Sequence, residues 1–532
     1  MPYYTVTDFA AGLDLRRSPW TAPAGTLRRM VNCHISPGGE IEKRYGFQYV
    51  GNVDPLSRGL VEVGGQLYVF KLDTSGNYYP SATLPANTAP PASTPTPGWG
   101  IGTINLQAMG AGDSPITEVL DYDLYSGNVF VITSHAGSPY PENIRRFYQN
   151  KYLKKVANPG GDPYVYSNTN GVLGYYCRTY KDKMYVVEGQ YLGSSCVGKP
   201  GVWVNVPEPE PPPVPSVKTV GHYVNDLSVQ DSDMTYNIAI EVYYDKLAVM
   251  GKNATQLWQL DPDPMKDQYH STLRGTGTIA WRSVLQYGSG DVLFLASDGI
   301  RSLRARDSSL AASVSDVGSP IDPLIQDLHR EWGEYSMSQA ISIVQPVTGR
   351  VWVIIPLARD AETGVVSSRI FVLSAFPGPK ITAWSEYRPG FNAVAACTHN
   401  QRIVLRDDQH RIWVYGRMED TTNPNLLYDA SPVEIVFPFL AGGEPAIRKN
   451  YVGLDAACEG DWEVYASYEA SENSPDSDKE DKLGTFTGAT FEQGRWPMEG
   501  WSTHLSLRFR SNTTGKKALS NLTIHYKLAE SG

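Results

Sequence analysis

One short pattern recurs along this chain and limits what it can fold into: a turn residue, one variable residue, then three or four apolar residues. It starts at Gly65, Gly127, Asp182, Asp245, Gly290, Gly349 and Gln401. The fullest unit runs from Val284 to Arg306. There Val284 to Tyr287, Val292 to Ala296 and Ile300 to Arg306 are separated by Gly288-Ser289-Gly290 and Ser297-Asp298-Gly299. Asp-Gly between β-rich runs marks a tight hairpin, because glycine accepts the positive φ that such a turn demands. Each run has the length of a strand and is too short for an ordinary helix.

The starts lie 45 to 63 residues apart. From the second copy onward each run is followed by another short strand, carrying Phe147, Trp203, Trp258, Leu303, Phe371 and Trp413 in turn. That gives six well-formed strand pairs, with the copy at 65 less complete. Small antiparallel sheets repeated at this period are the signature of a β-propeller. One sheet cannot bury both its faces alone, whereas sheets packed in a ring give every face a neighbour and leave only short edges. The expected fold is therefore all-β: a β-propeller over residues 61–425, six blades favoured over seven, with an N-terminal extension (1–60) and a C-terminal β-sandwich-like domain (426–532). A string of separate β-sandwiches sharing hairpins is the competing architecture.

Composition agrees with an all-β chain: 33 Tyr, 12 Trp, 49 Gly and 38 Pro in 532 residues, rich in strand and turn formers. The formal charge of −10 argues against a general nucleic-acid binder, which needs clustered Lys and Arg. The cysteines at 33, 177, 196, 397 and 458 are odd in number and scattered, which argues against a disulfide framework or a structural zinc site. Met1 to Asp14 lacks a secretory pattern, and no apolar run is long enough for a membrane helix. The chain reads as folded in a cytoplasm.

Residues 3–50 precede the repeat. Arg16, Arg17, Arg28, Arg29, Lys43 and Arg44, read as exposed, make it the most basic region. Pro80 to Pro97 holds six prolines and Glu208 to Pro215 is a second proline tract; both read as inserted loops, the second a stiff spacer. Ser319 to Gly333 is the one convincing helix, with Leu324, Ile325, Leu328 and Trp332 at helical spacing. Beyond about Asp429 the alternating runs Val433–Phe437, Trp462–Ala466, Leu505–Phe509 and Leu522–Tyr526 predict half-buried strands. Glu469 to Lys482 between them reads as an acidic loop.

No nucleophile elbow, His-Glu-x-x-His, Walker loop or dinucleotide fingerprint occurs. Ser297-Asp298-Gly299 lacks the spacing of a sialidase box. The acid pairs Asp121/Asp123, Asp261/Asp263 and Asp407/Asp408 read as solvated turn residues rather than Ca²⁺ ligands. A glycosidase stays open, since its two carboxylates come from distant positions. The expectation is no enzyme, no catalytic or metal residues and no cofactor.

Two stretches resemble a known family. The opening, Phe9-x-x-Gly12-Leu13 through Ser18-Pro19, Gly25, Asn32 and Glu42-Lys43-Arg44-x-Gly46-Phe47, resembles the start of the tail nozzle (tail tubular, or DNA-stabilisation) proteins of short-tailed bacteriophages. Gln256-Leu257-Trp258, Gly275 to Ala280 and the Gly290 to Leu303 hairpins resemble their propeller blades. The resemblance spans roughly residues 9–415, with the proline-rich insertions as departures. It implies a structural virion protein: a homohexamer docked under the portal and adaptor proteins, assembled in the host cytoplasm and resident in the virion tail. Its lumen would carry genomic DNA without sequence specificity, and its lower end would hold fibre or needle proteins. The terminal regions would form a platform, for which Phe9, Gly12, Leu13, Arg16, Arg17, Lys43, Arg44 and Phe47 are the expected docking residues.

Overall fold

The computed structural model describes residues 2–72, 101–106, 116–135, 141–148, 152–155, 166–167, 171–172, 174–200, 223–263, 266–308, 316–357, 366–417, 424–468, 480–490 and 494–528. Both proline-rich tracts lie outside these residues, as does most of the acidic loop.

The second strand of each small sheet is a copy of the repeat: Gln66–Leu72, Asn128–His135, Lys183–Glu188, Lys246–Gly251, Asp291–Ala296, Val351–Ile355 and Arg402–Asp407. Each pairs antiparallel with the strand before it: Ser57–Val63, Ile116–Tyr125, Tyr176–Tyr180, Asn237–Tyr243, Leu285–Tyr287, Ile341–Val344 and Ala393–His399. The turns between them explain the signature. Gly64 and Gly65, Ser126 and Gly127, Lys181 and Asp182, and Asn400 and Gln401 all have positive φ, as a type I′ hairpin requires at both central residues.

Among the described residues seven sheets of this kind follow in order, including one at the copy whose sequence pattern is less complete. In that first sheet the third strand, Ile101–Leu106, pairs in parallel. The fifth has three strands, and its third stops at Ser302, giving way to a short helix, Leu303–Ser308, where a strand to Arg306 was expected. The seventh takes its outer strand from far upstream: Phe47–Asn52 pairs antiparallel with Arg411–Tyr415.

The sheets close into a ring through the alternating faces of their second strands. Val129 and Val131 pack towards Val61 and Phe70 of the first sheet. Phe130 and Ile132 pack towards Cys177 and Val186 of the third. Tyr185 and Val187 meet Ile240 and Val249, Ala248 and Leu257 meet Val292 and Phe294, and Leu293 and Leu295 join Val351 and Phe371. Trp352 and Ile354 pack with Ile403 and Leu405. Finally Val404 and Val414 reach Leu60 and Leu67 of the first sheet. Two buried faces explain why these strands read as continuous apolar runs instead of alternating. The arrangement is a β-propeller.

The C-terminal residues form two layers. One orders Trp496–Ser502, Lys449–Glu459, Ala518–Leu528, Ile41–Lys43 and Cys33–Ile35, with Tyr3–Val6 on the flank of Ala518–Leu528. The other continues from the sixth propeller sheet: Ile381–Tyr387, Arg29–Val31, Val433–Val436, Ser506–Ser511, Asp461–Ser467 and Asp481–Thr487. Trp496 of the first layer stacks on Phe486 of the second at 4.0 Å, and Trp462, Phe509, Leu454 and Ile524 share one core with the propeller's Val351 and Phe371.

The expected helix is present as Asp322–Ser338, longer than the sequence suggested. Gly333 does not end it but breaks it, at φ 74° and ψ 171°, and helical residues resume beyond. Ile325, Leu328 and Met337 enter the shared core. The five cysteines are free thiols. Among the described residues no helix is long and apolar enough to cross a membrane.

Candidate functional site

Five of the eight expected docking residues are buried and a sixth, Phe47, is partly buried. Phe9 is fully buried, its ring edge-on to Phe437 at 5.9 Å, and Leu13 is buried beside it in the common core. Gly12 has φ +57°, and a Cβ there would lie 2.8 Å from Ala383 Cβ and 2.9 Å from Trp384 O, so only glycine lets this chain approach the sixth sheet. Phe47 packs among Trp352, Phe391 and Tyr415.

Lys43 and Arg44, expected to be exposed, are 1% and 0% exposed. The Lys43 ammonium donates to Asp429 O (2.6 Å) and Thr513 O (2.9 Å), and burial pushes its pKa down to about 8. Arg44 donates to Asn32 Oδ1 (2.8 Å), Tyr45 O (2.6 Å), Asp429 Oδ2 (3.1 Å) and Arg388 O (3.3 Å), and lies 4.8 Å over the Phe47 ring. A buried cation is tolerable only when its donors are used in this way. Arg16 and Arg17 do reach solvent; Arg16 pairs with Asp14 at 2.6 Å.

Asn32 sits at the centre of this hub. Its N–H donates to Glu386 O (2.7 Å), its amide nitrogen donates to Pro432 O (2.7 Å), and its Oδ1 accepts from both Arg44 and Arg388 N. It therefore ties the opening segment, the sixth sheet and the C-terminal layers together.

The second site is the propeller's axial cavity, about 250 Å³. All seven sheets contribute to its wall, through Leu60, Asp121, Arg178, Glu241, Leu285, Ser342 and Ala395 among others. Asp121 and Asp123 were read as turn residues, yet they stand on the strand Ile116–Tyr125. Asp121 Oδ2 accepts from Cys177 N at 2.9 Å and Asp123 Oδ2 from Thr179 N, so the pair stitches the second sheet to the third. Arg178 then bonds Glu241 at 3.0 Å and donates to Ile240 O, joining the third sheet to the fourth.

Burial pushes Asp121 up to about 6 against the pull of Arg178, and raises Glu241 against the same guanidinium. Burial also works against the charge on Arg178, but Glu241, Asp123 and Asp121 more than offset it. Arg282 crosses to Val119 O (3.1 Å) and lies 4.2 Å over Trp281, whose ring is 5.4 Å from that of Tyr176. Chemically this is an ion-pair ladder whose carboxylates already accept backbone or guanidinium donors. The available sequence signal was weak: Asp121, Arg178 and Glu241 each fall a few residues before a repeat start, on strands otherwise turned inward.

No protein-family model and no curated protein matches the sequence. Solved structures similar to parts of the chain include BamB from Moraxella catarrhalis, at 9% identity over 72% of this chain and 99% of BamB, with a TM-score of 0.31. Another is virginiamycin B lyase from Staphylococcus aureus, at 8% identity over 56% of this chain and 94% of the lyase, with a TM-score of 0.27. A third is exo-β-1,3-galactanase from Phanerochaete chrysosporium, at 8% identity over 82% of this chain and 100% of the enzyme, with a TM-score of 0.24. Likeness at this level carries no argument about function.

Proposed function

We propose that this chain is a structural subunit of a virion tail, one of six copies in a nozzle ring of the short-tailed bacteriophage kind. In this reading each subunit is a seven-bladed propeller welded to a C-terminal β-sandwich. The ring continues the portal and adaptor channel, retains the packaged DNA and holds fibre or needle proteins. It is a part and not an enzyme, assembled in the host cytoplasm and carried in the virion.

One observation carries the reading. The segment whose residues resemble the nozzle proteins is the weld: Phe9, Gly12, Asn32, Lys43 and Arg44 bind propeller and C-terminal layers into one body. A subunit that must transmit load between neighbouring proteins benefits from such a joint, and Arg16 and Arg17 remain at its surface for contacts. The axial cavity is far too small for a duplex, so the DNA path lies on the ring axis, outside each propeller. Closed rings of one chain need head-to-tail contacts. Native mass measurement of the purified chain and of assembled tails tests this. Six copies per ring are expected, and a monomer within assembled tails overturns the proposal.

The axial cavity favours a second reading, a glycan-acting propeller, because Tyr176 and Trp281 lie in its wall beside Asp121 and Glu241. Glycan hydrolysis abolished by both Asp121→Asn and Glu241→Gln would establish that reading in place of the first.

A further inference from the structure

Where the seventh sheet closes on the first, two basic side chains meet with no salt bridge to either among the described residues. The turn 54–57 packs against the hairpin 407–411, with Val53 N donating to His410 O at 2.8 Å. Arg406 donates to Ser57 O at 3.2 Å, and Arg58 donates to the same carbonyl at 2.9 Å. Two guanidinium groups thus converge on one oxygen, and neither forms a salt bridge among the described residues.

The acids nearby are committed elsewhere. Asp407 accepts from Arg411 Nε (2.6 Å) and Trp413 Nε1 (2.9 Å), and Asp54 from Lys71 (2.6 Å) and Leu56 N (2.9 Å). Meanwhile Arg406 Nε, His410 Nδ1 and Ser57 Oγ are buried with no hydrogen-bond partner. Arg406 is only 5% exposed and Ser57 0%. Burial pulls the Arg406 guanidinium down to about 10, the charges of Arg58 and Arg282 push the same way, and Asp407 opposes them only in part. Unpartnered buried polar atoms and a buried cation without a salt bridge are each costly, and together they describe a site suited to an acceptor carrying negative charge. Guanidinium forks suit tetrahedral oxyanions, which take several donors at once. Arg58 and His410 are only partly buried.

We infer that this junction binds a small oxyanion of the phosphate class, held by Arg58, Arg406, Ser57 and His410, which locks the ring where its two ends meet. The inference stands apart from the nozzle reading.

Thermal melting of the full chain in inorganic phosphate, against sodium chloride of matched ionic strength, tests it. A saturable rise in melting temperature specific to phosphate is expected, because a ligand bound only by the native state stabilises it by mass action. Arg58→Gln is the primary variant, since its side chain is the less buried of the two. It should need about tenfold more phosphate for the same rise, the loss of one charge-assisted hydrogen bond. Arg406→Met should abolish the rise where it folds. Equal rises in phosphate and chloride, or an unchanged phosphate response in Arg58→Gln, overturn the inference. A short DNA duplex of equal phosphate content should give no comparable rise; if it does, the effect is surface electrostatics and the buried site is wrong.

Discussion

Asn32 adopts a left-handed backbone at φ 56° and is 1% exposed, a combination open to asparagine and glycine but strained for most residues. The two contributions separate experimentally. Asn32→Gly keeps the backbone and deletes the amide bonds to Pro432, Arg44 and Arg388, leaving Arg44 partly unpaired in a buried site. A loss of about 3 kcal/mol in denaturant unfolding is expected, and a loss below about 0.5 kcal/mol would remove Asn32 from the hub. The axial ladder gives a pH prediction. Asp121 titrates near 6 in the folded chain against 3.8 ordinarily, so protonation favours the native state. That benefit is full below the ordinary value and is lost as pH rises through about 6. Asp121→Asn retains an acceptor for Cys177 N and removes the buried charge. Its melting temperature relative to wild type should therefore be higher at pH 8 than at pH 5, by the equivalent of about 1–2 kcal/mol. A difference that does not change with pH would show that Asp121 does not titrate in this window.

At the scale of elements, the strand Phe47–Asn52 decides whether the ring is closed. It completes the seventh sheet from a position some 360 residues upstream of its partner Arg411–Tyr415, and Phe47 plugs the core between the sixth and seventh sheets. Deleting residues 1–53 should therefore leave an open edge and an unfilled core, giving a protease-sensitive chain with no sharp melting transition. A truncated chain that melts like the full one would restore the reading of this segment as an appendage. The repeat itself was legible in the sequence because each copy codes a local device, a tight turn (type I′ in four of the seven) followed by a strand apolar on both faces. Closure was not legible, since strands such as Phe47–Asn52 and Arg29–Val31 find distant partners that no local pattern specifies. The same distinction explains Lys43 and Arg44. A basic dipeptide reads as solvated surface unless its carbonyl and carboxylate partners, hundreds of residues away, are known. It explains Asp121 and Asp123 too, which serve backbone donors of the next sheet.

At the scale of the whole molecule, a chain of this length ordinarily divides into domains that unfold separately. Here the division is suppressed by continuity of two kinds. Backbone hydrogen bonds run without interruption from the sixth propeller sheet through Arg29–Val31 into Val433–Val436 and Ser506–Ser511. One core also holds side chains of the fifth and sixth sheets, the helix Asp322–Ser338 and both C-terminal layers. Damage on one side should therefore be felt on the other. Leu507 is fully buried in a C-terminal layer, and Leu507→Ala should cost about 2–5 kcal/mol. Amide hydrogen exchange then reads how far that cost spreads. In the welded molecule exchange accelerates in Val351–Ile355 of the propeller together with Ser506–Ser511. If the C-terminal strands alone speed up and Val351–Ile355 keeps its wild-type protection, the two halves open independently, and the joint made by the opening segment transmits no load between them.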